Sequence, residues 1–473
     1  MNRTLLALAL IAASGVPCIA DDPLRIATFN VDASPPIGSP LAYDPTREVT
    51  TPLTCRGVVL LGSEAPIVLC AVDWIGIGND GHREFRERLA EAAGTTAERV
   101  AVHALHQHDA PWCDFSMDEL CAADGTSRRF MDPAFAREVI RRASTAIREA
   151  LVVPFTVTDI ALSSGVVEKV ASNRRILGPD GKVAHVRWTA TEDPAVRAYP
   201  EGTIDPLVKM ITFYRDEQPL VALTYYATHP QSYYRTGQAT PDFPGLARNA
   251  RQEATGVLHV HFCGASGNIG AGKYNDGAHK NRQVLADRMA AGMELAWRNA
   301  ARTPITAAEV GWTSVPVSLP PATYLDESKL TATVGDSTQA PQTRFYAAGW
   351  LAWLRRCQAG DTIDVGCLTL GNARVLHMPG ELFVEYQLAA QELRPDLFVC
   401  MAAYGDYAPW YIGTDIAYDE GGYETSEGAS LVGPGSEEAL VGAMRTLLDA
   451  ENVPLAPLGA AAHDREVRAL GNP

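Results

Sequence analysis

Short apolar runs rich in β-branched residues alternate along the chain with longer segments whose apolar residues recur every three or four positions. The short runs are typical of buried strands, and the longer segments are typical of amphipathic helices. This alternation predicts an α/β protein with a layered mixed β-sheet core and flanking helices. The predicted strands are Gly57–Leu61, Ile67–Val72, Val100–Leu105, Leu207–Phe213, Leu220–Tyr226, Val257–Phe262, Ala373–Met378 and Leu397–Ala402. The predicted helices are His82–Ala93, Pro133–Leu151, Pro244–Ala254, His279–Trp297 and Ser436–Asp449.

Polar residues stand shortly after several of these predicted strands. His106, His229 and Glu381 each follow a different strand. A glycine-rich segment that begins at Gly264 and a tyrosine-containing segment that includes Tyr411 follow two others. In open α/β sheets, ligands bind at the carboxyl ends of the strands. The sequence therefore predicts an active site at this edge.

Two of the histidines lie in one strand-like stretch. Because strand side chains repeat every second residue, His106 and His108 should point to the same side, so that one can bind a metal while the other supports it. Zinc binds imidazole nitrogen and carboxylate oxygen, and His106, His229 and Glu381 could supply two nitrogens and one oxygen. Any one of these histidines alone would fit a structural role, but their shared position after strands favours a metal site. Three other histidines are predicted to be ordinary sheet residues: His259, His261 and His377.

Two motifs that suggest other chemistries are incomplete. The segment from Gly267 to Lys273 approaches a phosphate-binding P-loop, but Tyr274 stands where that motif needs Ser or Thr. Ser266 is not a nucleophile elbow, because Asn268 replaces the last glycine of that motif. The glycines are predicted instead to let the backbone approach a ligand.

The first twenty residues have the features of a secretory signal. Arg3 supplies the positive start, an apolar stretch follows, and small residues precede Asp21. We therefore predict a signal peptide at residues 1–20 and a secreted or periplasmic protein. Residues 21–473 contain no linker rich in Pro, Gly and Ser and no repeat visible in the sequence, so they are predicted to form a single catalytic domain.

Composition restricts the class of partner. The formal net charge of -16 argues against nucleic acid. No apolar run after the signal is long enough to span a bilayer. We therefore predict a small-molecule or lipid-like substrate, and the sequence leaves the oligomeric state open.

Eight cysteines remain after the predicted signal. An even number in an exported chain is compatible with disulfides, and Cys113 with Cys121 and Cys357 with Cys367 would each close a short loop. No CxxC spacing occurs, so a cysteine zinc site is not predicted.

In their order along the chain, several short motifs resemble the catalytic domain of the neutral ceramidases, which are zinc amidases that cleave N-acylsphingosine. The resemblance covers most of residues 21–473. The matching motifs are His106-Gln-His108-Asp-Ala-Pro111, Asn173-Arg174, Thr228-His229-Pro230, Asp242-Phe-Pro-Gly245, Gly264-Ala-Ser-Gly267, Pro379-Gly380-Glu381, Tyr411-Ile-Gly-Thr414 and Tyr423-Glu424.

The resemblance implies a role for each matching residue. His106, His229, Glu381 and Tyr411 would be zinc ligands. His108 would lie beside the metal and act in catalysis with Tyr411, and Arg174 would contact the substrate. Tyr411 is preferred to Tyr407 because Ile-Gly-Thr follows it. Three further residues are assigned to substrate binding: Asn173, Asp242 and Asn268.

The chain departs from the ceramidase pattern in two respects. Gly270 stands where the family has a serine with an assigned catalytic role. We therefore expect a metal-activated water to be the attacking group. We also expect the chain to lack the C-terminal immunoglobulin-like domain of full-length ceramidases, which weakens the expectation of a ceramide substrate.

The predicted function is zinc-dependent hydrolysis of an amide (N-acyl) bond. A zinc hydrolase acting on an ester or a sugar-derived substrate is an alternative, because the amide rests on the resemblance alone. A protein of a different class, a noncatalytic metal-stabilised binding protein, is also compatible with the sequence.

Overall fold

The structure is a computed structural model that describes residues 22–460. The predicted signal peptide lies outside the described residues. The strands are β1 Leu24–Asp32, β2 Glu48–Val49, β3 Thr54–Leu61, β4 Ile67–Val72, β5 Gly76–Ile77, β6 Val100–Ala104, β7 Trp112–Cys113, β8 Phe155–Val157, β9 Asp159–Val166, β10 Ser172–Asn173, β11 Arg175–Leu177, β12 Val183–Val186, β13 Leu207–Arg215, β14 Gln218–Tyr226, β15 Gln238–Ala239, β16 Leu258–Cys263, β17 Ile269–Gly270, β18 Ala301–Pro304, β19 Val310–Val317, β20 Ile363–Leu370, β21 Ala373–His377, β22 Glu381–Leu382, β23 Phe398–Ala402 and β24 Tyr411–Ile412. The helices are α1 Asn79–Ala93, α2 Phe115–Leu120, α3 Pro133–Ala150, α4 Pro194–Ala198, α5 Asp242–Thr255, α6 Asn281–Arg298, α7 Glu327–Gly335, α8 Pro341–Ala359, α9 Val384–Leu393, α10 Asp415–Glu420 and α11 Ser436–Leu447.

Three larger sheets form the centre of the fold. Their strand orders are β6-β4-β3-β1-β8, β16-β14-β13-β9-β18 and β23-β21-β20-β19. In each sheet, one edge strand is parallel to its neighbour, and the other pairs are antiparallel. The prediction of a mixed-sheet α/β fold with flanking helices is confirmed.

The three sheets belong to three units with the same order of elements, a repeat that is not visible in the sequence. Each unit has three antiparallel strands, a helix, a parallel edge strand and a second helix. The first helix contacts the parallel edge strand, and the second contacts the far antiparallel strand. The units are β1-β3-β4-α1-β6-α3, β9-β13-β14-α5-β16-α6 and β19-β20-β21-α9-β23-α11.

The three sheets bury one face against a shared apolar core. This core combines side chains such as Leu60 from the first sheet, Phe213 from the second and Val375 from the third. The opposite faces pack against the helices of their own units. Strands that are buried on both faces need continuous apolar runs, which is why eight of them can be recognised in the sequence.

The parallel edge strands meet at their carboxyl ends. The backbone N–H of Ala104, at the end of β6, donates to Tyr404 O at 2.9 Å, and Ala403 N donates to Cys263 O at 2.9 Å. A buried bidentate ion pair between Asp73 and Arg248, with N–O distances of 2.6 and 2.9 Å, links the loop after β4 to α5. The loops that follow these strands are therefore held side by side.

All eight predicted strands and five predicted helices occur, with bounds that shift by no more than a few residues. The prediction omits two strands of each larger sheet, namely β1, β8, β9, β18, β19 and β20, and six helices, namely α2, α4, α7, α8, α9 and α10. Polar residues interrupt these strands, and Pro316 in β19 is tolerated because that strand lies at a sheet edge.

All eight cysteines of the described residues are free thiols, so neither predicted disulfide is formed in the structure. Cys113 packs in the core under the first sheet, whereas Cys121 belongs to a separate cluster around α7 and α8. Burial raises the pKa of Cys357 to about 11 and that of Cys367 to about 12, which disfavours the reactive thiolate.

Among the described helices, none combines the length and apolar character that crossing a bilayer requires.

A buried histidine makes the stability of the fold depend on pH. His82 donates its Nε2–H to Val102 O, and burial lowers its pKa to about 4. The unfolded chain binds this proton below about pH 6.5, whereas the folded chain does not. The contribution of His82 is therefore fully present above pH 6.5 and is lost as the pH falls towards 4.

We predict that the difference in unfolding free energy between the parent and His82→Gln shrinks by about 3 kcal/mol from pH 7 to pH 4. Urea unfolding at several pH values measures this difference. A difference that stays constant over this range would show that His82 binds its proton equally in both states.

Candidate metal centre

His106, the second residue after β6, is held in an uncommon backbone conformation. Its φ is 74°, and its backbone N–H donates to Trp74 O at 2.8 Å. Its ring Nδ1 lies 2.5 Å from Ile75 O. Because a carbonyl only accepts, Nδ1 carries the proton and the lone pair of Nε2 faces the interior of the site. A positive φ in a residue other than glycine is costly and clusters at functional sites.

His229 and Glu381 meet His106 from the other two units. His229 Nε2 lies 3.2 Å from His106 Nε2, and Glu381 Oε2 lies 3.3 Å from the same atom. His229 Nδ1 points towards Ser266 O at 3.4 Å. Burial, and then the proximity of His106 and Arg174, lower the pKa of His229 well below its ordinary value. Its ring is therefore neutral and able to bind a cation.

This arrangement fits a metal ion. With Nδ1 protonated on both rings, two nitrogen lone pairs and a carboxylate oxygen face one another, and Glu381 Oε2 is buried without a hydrogen-bond partner. The lone pair of His106 Nε2 faces both the His229 lone pair and the Glu381 carboxylate, and a cation among the three groups would remove the repulsion between them. Tetrahedral zinc ligands at about 2.0–2.1 Å from the ion lie about 3.3 Å apart. The distances from His106 Nε2 to His229 Nε2 and to Glu381 Oε2, 3.2 and 3.3 Å, are close to this value. His106, His108 and His229 form a group whose ligand atoms lie within 4.8 Å of one another.

His108 differs from the other two histidines in its hydrogen bonds. Its Nδ1 lies 3.0 Å from the side-chain amide nitrogen of Gln231 and 3.3 Å from the Tyr43 hydroxyl. An amide nitrogen only donates, so Nδ1 accepts and the neutral ring carries its proton on Nε2. This Nε2 lies 3.2 Å from His229 Nε2. His108 is thus a hydrogen-bond donor that faces the site.

Arg174 and Tyr411 form a buried polar pair beside His229. Arg174 Nη1 donates to the Tyr411 hydroxyl at 3.2 Å, and Arg174 Nε lies 3.4 Å from Glu424 Oε1. Burial by itself lowers the pKa of Arg174, but Tyr411 and Glu424 raise it overall, so the guanidinium stays charged. Burial raises the pKa of Tyr411 well above its ordinary value, so its hydroxyl stays protonated.

Two further tyrosines contact the centre and were not predicted as site residues. The Tyr407 hydroxyl donates to Glu381 Oε1 at 2.5 Å, and the Tyr404 ring stacks on His106 at 4.5 Å between centroids. A sequence signal does exist for this region. The tripeptide Ala-Pro-Trp occurs after β6 and again after β23, ending at Trp112 and at Trp410.

Gly270 leaves room between two site residues. A Cβ built at this position would meet the Arg174 side chain at 3.5 Å and His229 Cβ at 4.0 Å, which are ordinary contacts. Its φ is not in the left-handed region. Neither the backbone conformation nor the packing requires glycine at this position, so a side chain would fit there.

The structure brings six of the nine predicted site residues together: His106, His108, Arg174, His229, Glu381 and Tyr411. The other three use their polar atoms elsewhere. Asn173 bonds to Thr203 O and Arg175 N, and Asn268 bonds to Glu385 and Val384 N. Asp242 accepts from the backbone of Ser232 and Phe243 and pairs with Arg282. The substrate-binding role of these three remains a prediction.

A cavity of about 150 Å³ opens beside the cluster. His106, His108, Glu381 and Tyr411 all line it. A ligand in this cavity would therefore contact the candidate metal centre directly.

The histidines predicted to be sheet residues, namely His259, His261 and His377, are indeed buried in strands of the second and third sheets.

A comparison of backbone shape with solved structures shows that the chain has the fold of a ceramidase. A structure described as a ceramidase complexed with C2 matches with a TM-score of 0.66 and 17% identity, covering 91% of this chain and 75% of that chain. Neutral ceramidase from Pseudomonas aeruginosa matches with a TM-score of 0.65 and 16% identity, covering 94% and 75%. No protein-family model and no curated protein sequence matches the chain. The resemblance to neutral ceramidase is thus confirmed at the level of the fold.

We predict that His106→Ala and His229→Ala each weaken zinc binding by more than about 100-fold, because loss of an outer partner of a metal ligand alone costs about 10-fold to 100-fold. Isothermal titration of metal-free protein with zinc measures this affinity. Replacement of the sheet residue His261 by Gln serves as the control and should leave affinity unchanged. Full zinc affinity in both alanine variants would contradict the proposed centre.

Proposed function

We propose that this protein is an exported zinc-dependent hydrolase that cleaves an amide bond. The observation that carries the proposal is the meeting of two imidazole lone pairs with an unpaired buried carboxylate at the wall of a cavity. His106, His229 and Glu381 would hold the ion, and Tyr411 would complete the set. A bound zinc ion would supply a Lewis acid that polarises a carbonyl oxygen and makes water more acidic.

The cavity favours an enzyme over a noncatalytic metal-stabilised protein. A structural zinc site is closed by protein ligands, whereas a catalytic site keeps a position for water or substrate. Here His106 and Glu381 line a space of about 150 Å³. A small molecule can therefore reach the ligands.

The residues around the cavity can stabilise negative charge on a carbonyl oxygen. His108 offers its Nε2–H, and the Arg174–Tyr411 pair offers a charged donor group. Fixed donors of this kind stabilise the anion that forms when water adds to a carbonyl. Hydrolysis then breaks the C–N bond and yields a carboxylate and an amine, with a proton from water passing to the nitrogen. Gly270 provides no hydroxyl, so the attacking oxygen comes from water.

The similarity to ceramidases supports an amide rather than an ester or a sugar-derived substrate. Fold alone does not fix chemistry, so an ester is the second candidate, since the same donors would serve its carbonyl oxygen.

The first experiment is metal analysis of purified protein together with turnover of N-acetylbenzylamine and of benzyl acetate. We expect one zinc per chain and release of benzylamine that stops on chelation and returns when zinc is added. Ester cleavage without amide cleavage would replace the amide assignment with the second candidate. Absence of both activities in zinc-loaded protein would overturn the hydrolase proposal.

A second prediction separates His108 from the ligands. We expect His108→Ala to keep its zinc and to lose about 100-fold to 1,000-fold in kcat, the usual cost of removing one donor to an oxyanion. Gln231→Glu should have a similar effect, because a carboxylate would accept from Nδ1 and move the ring proton away from Nε2.

The matched control is Gln231→Leu, which removes the hydrogen-bond donor to His108 Nδ1 but offers no acceptor that would draw the ring proton to Nδ1. It should lose less activity than Gln231→Glu. Loss of zinc from His108→Ala would instead make His108 a ligand.

A further inference from the structure

Aromatic rings form most of the wall of the cavity beside the candidate metal centre. Aliphatic side chains contribute little, chiefly Ile75 and Ala429. The aromatic residues outside the proposed ligand set are Tyr43, Trp112, Tyr346, Tyr407, Trp410 and Tyr423.

Rings that pack edge to face line one side of the cavity. Trp112 lies 5.4 Å from Tyr407 and 6.1 Å from Trp410 between ring centroids, and Tyr346 lies 5.7 Å from Trp410. Behind Trp112 is the core residue Phe345, at 6.1 Å. On this side, the cavity therefore borders the apolar core.

The cavity is open to solvent beside exposed aromatic residues. Tyr423 is 43% exposed and contacts Trp188, which is 50% exposed, at 5.3 Å between ring centroids. Arg174 lies within 6.0 Å of both rings. One part of a substrate can thus extend past Tyr423 into solvent while another part lies among the rings of the cavity.

The volume limits the enclosed part. A cavity of about 150 Å³ binds a molecule the size of benzene, and this cavity has that volume. Edge-to-face rings also favour a flat aromatic guest. We propose, resting on the hydrolase function above, that the substrate carries a compact, ring-sized group on one side of the scissile amide and that this group occupies the aromatic cavity.

The test compares four amides in the same mixed micelles with zinc-loaded protein. N-acetylbenzylamine is the reference in which both sides are compact. N-benzoyldodecylamine and N-dodecanoylbenzylamine each carry one ring and one chain, and N-dodecanoyldodecylamine carries two chains. We expect at least one ring-bearing amide to exceed the two-chain amide in kcat/KM by about 100-fold.

The two ring-bearing amides also show which side of the bond enters the cavity. Equal kcat/KM for the two-chain amide and the better ring-bearing amide would overturn the size limit. Failure to cleave even the reference would instead count against the proposed function.

A wall variant gives an independent measurement. Tyr346 lies on α8, away from the proposed ligands, and Tyr346→Ala should enlarge the cavity. We expect the kcat/KM of the two-chain amide relative to the reference to rise by about 10-fold. The control is Thr343→Ala, an exposed position on the same helix. An unchanged ratio in a folded Tyr346→Ala protein would contradict the placement of the substrate in this cavity.

Discussion

The hydrogen bonds that join the carboxyl ends of the parallel edge strands determine the arrangement of the candidate site. Ala104 N bonds to Tyr404 O, and Ala403 N bonds to Cys263 O, so the three units are connected at the point where their loops begin. The shared apolar core behind them fixes how the sheets face one another. Residues more than a hundred positions apart are thereby held within a few ångströms.

The backbone near this junction is strained at several residues. His106, Tyr404 and Trp410 all have positive φ values, of 74°, 60° and 57°. His106 and Tyr404 are each the second residue after a parallel edge strand, in the first and third units. Their rings stack, and the strain at both positions is offset by the packing that surrounds them. The equivalent loop of the second unit contains glycines and contributes backbone carbonyls instead, such as Ser266 O beside His229.

The three units thus share an architecture but supply different chemistry. The first contributes His106 and His108, the second His229, and the third Glu381 with its tyrosines. In the first and third units, short parallel pairs extend the loops in the same way, between Gly76 and Trp112 and between Glu381 and Tyr411. These two loops contribute Trp112, Tyr407 and Trp410 to the aromatic wall of the cavity, with a tryptophan eight residues after the end of the parallel edge strand in each.

The sequence by itself determined eight strands of the three larger sheets, five helices, and six residues that meet at the candidate site. Strands buried on both faces must be continuously apolar, and polar residues directly after them stand out in the chain. The tertiary structure alone decided the threefold repeat, the strands interrupted by polar residues, and the hydrogen bonds that orient the His108 ring. Those features depend on contacts between distant segments, such as Gln231 with His108 and Tyr407 with Glu381. No local pattern encodes such contacts, because hydrogen-bond direction and cavity size arise only when the three sheets pack together.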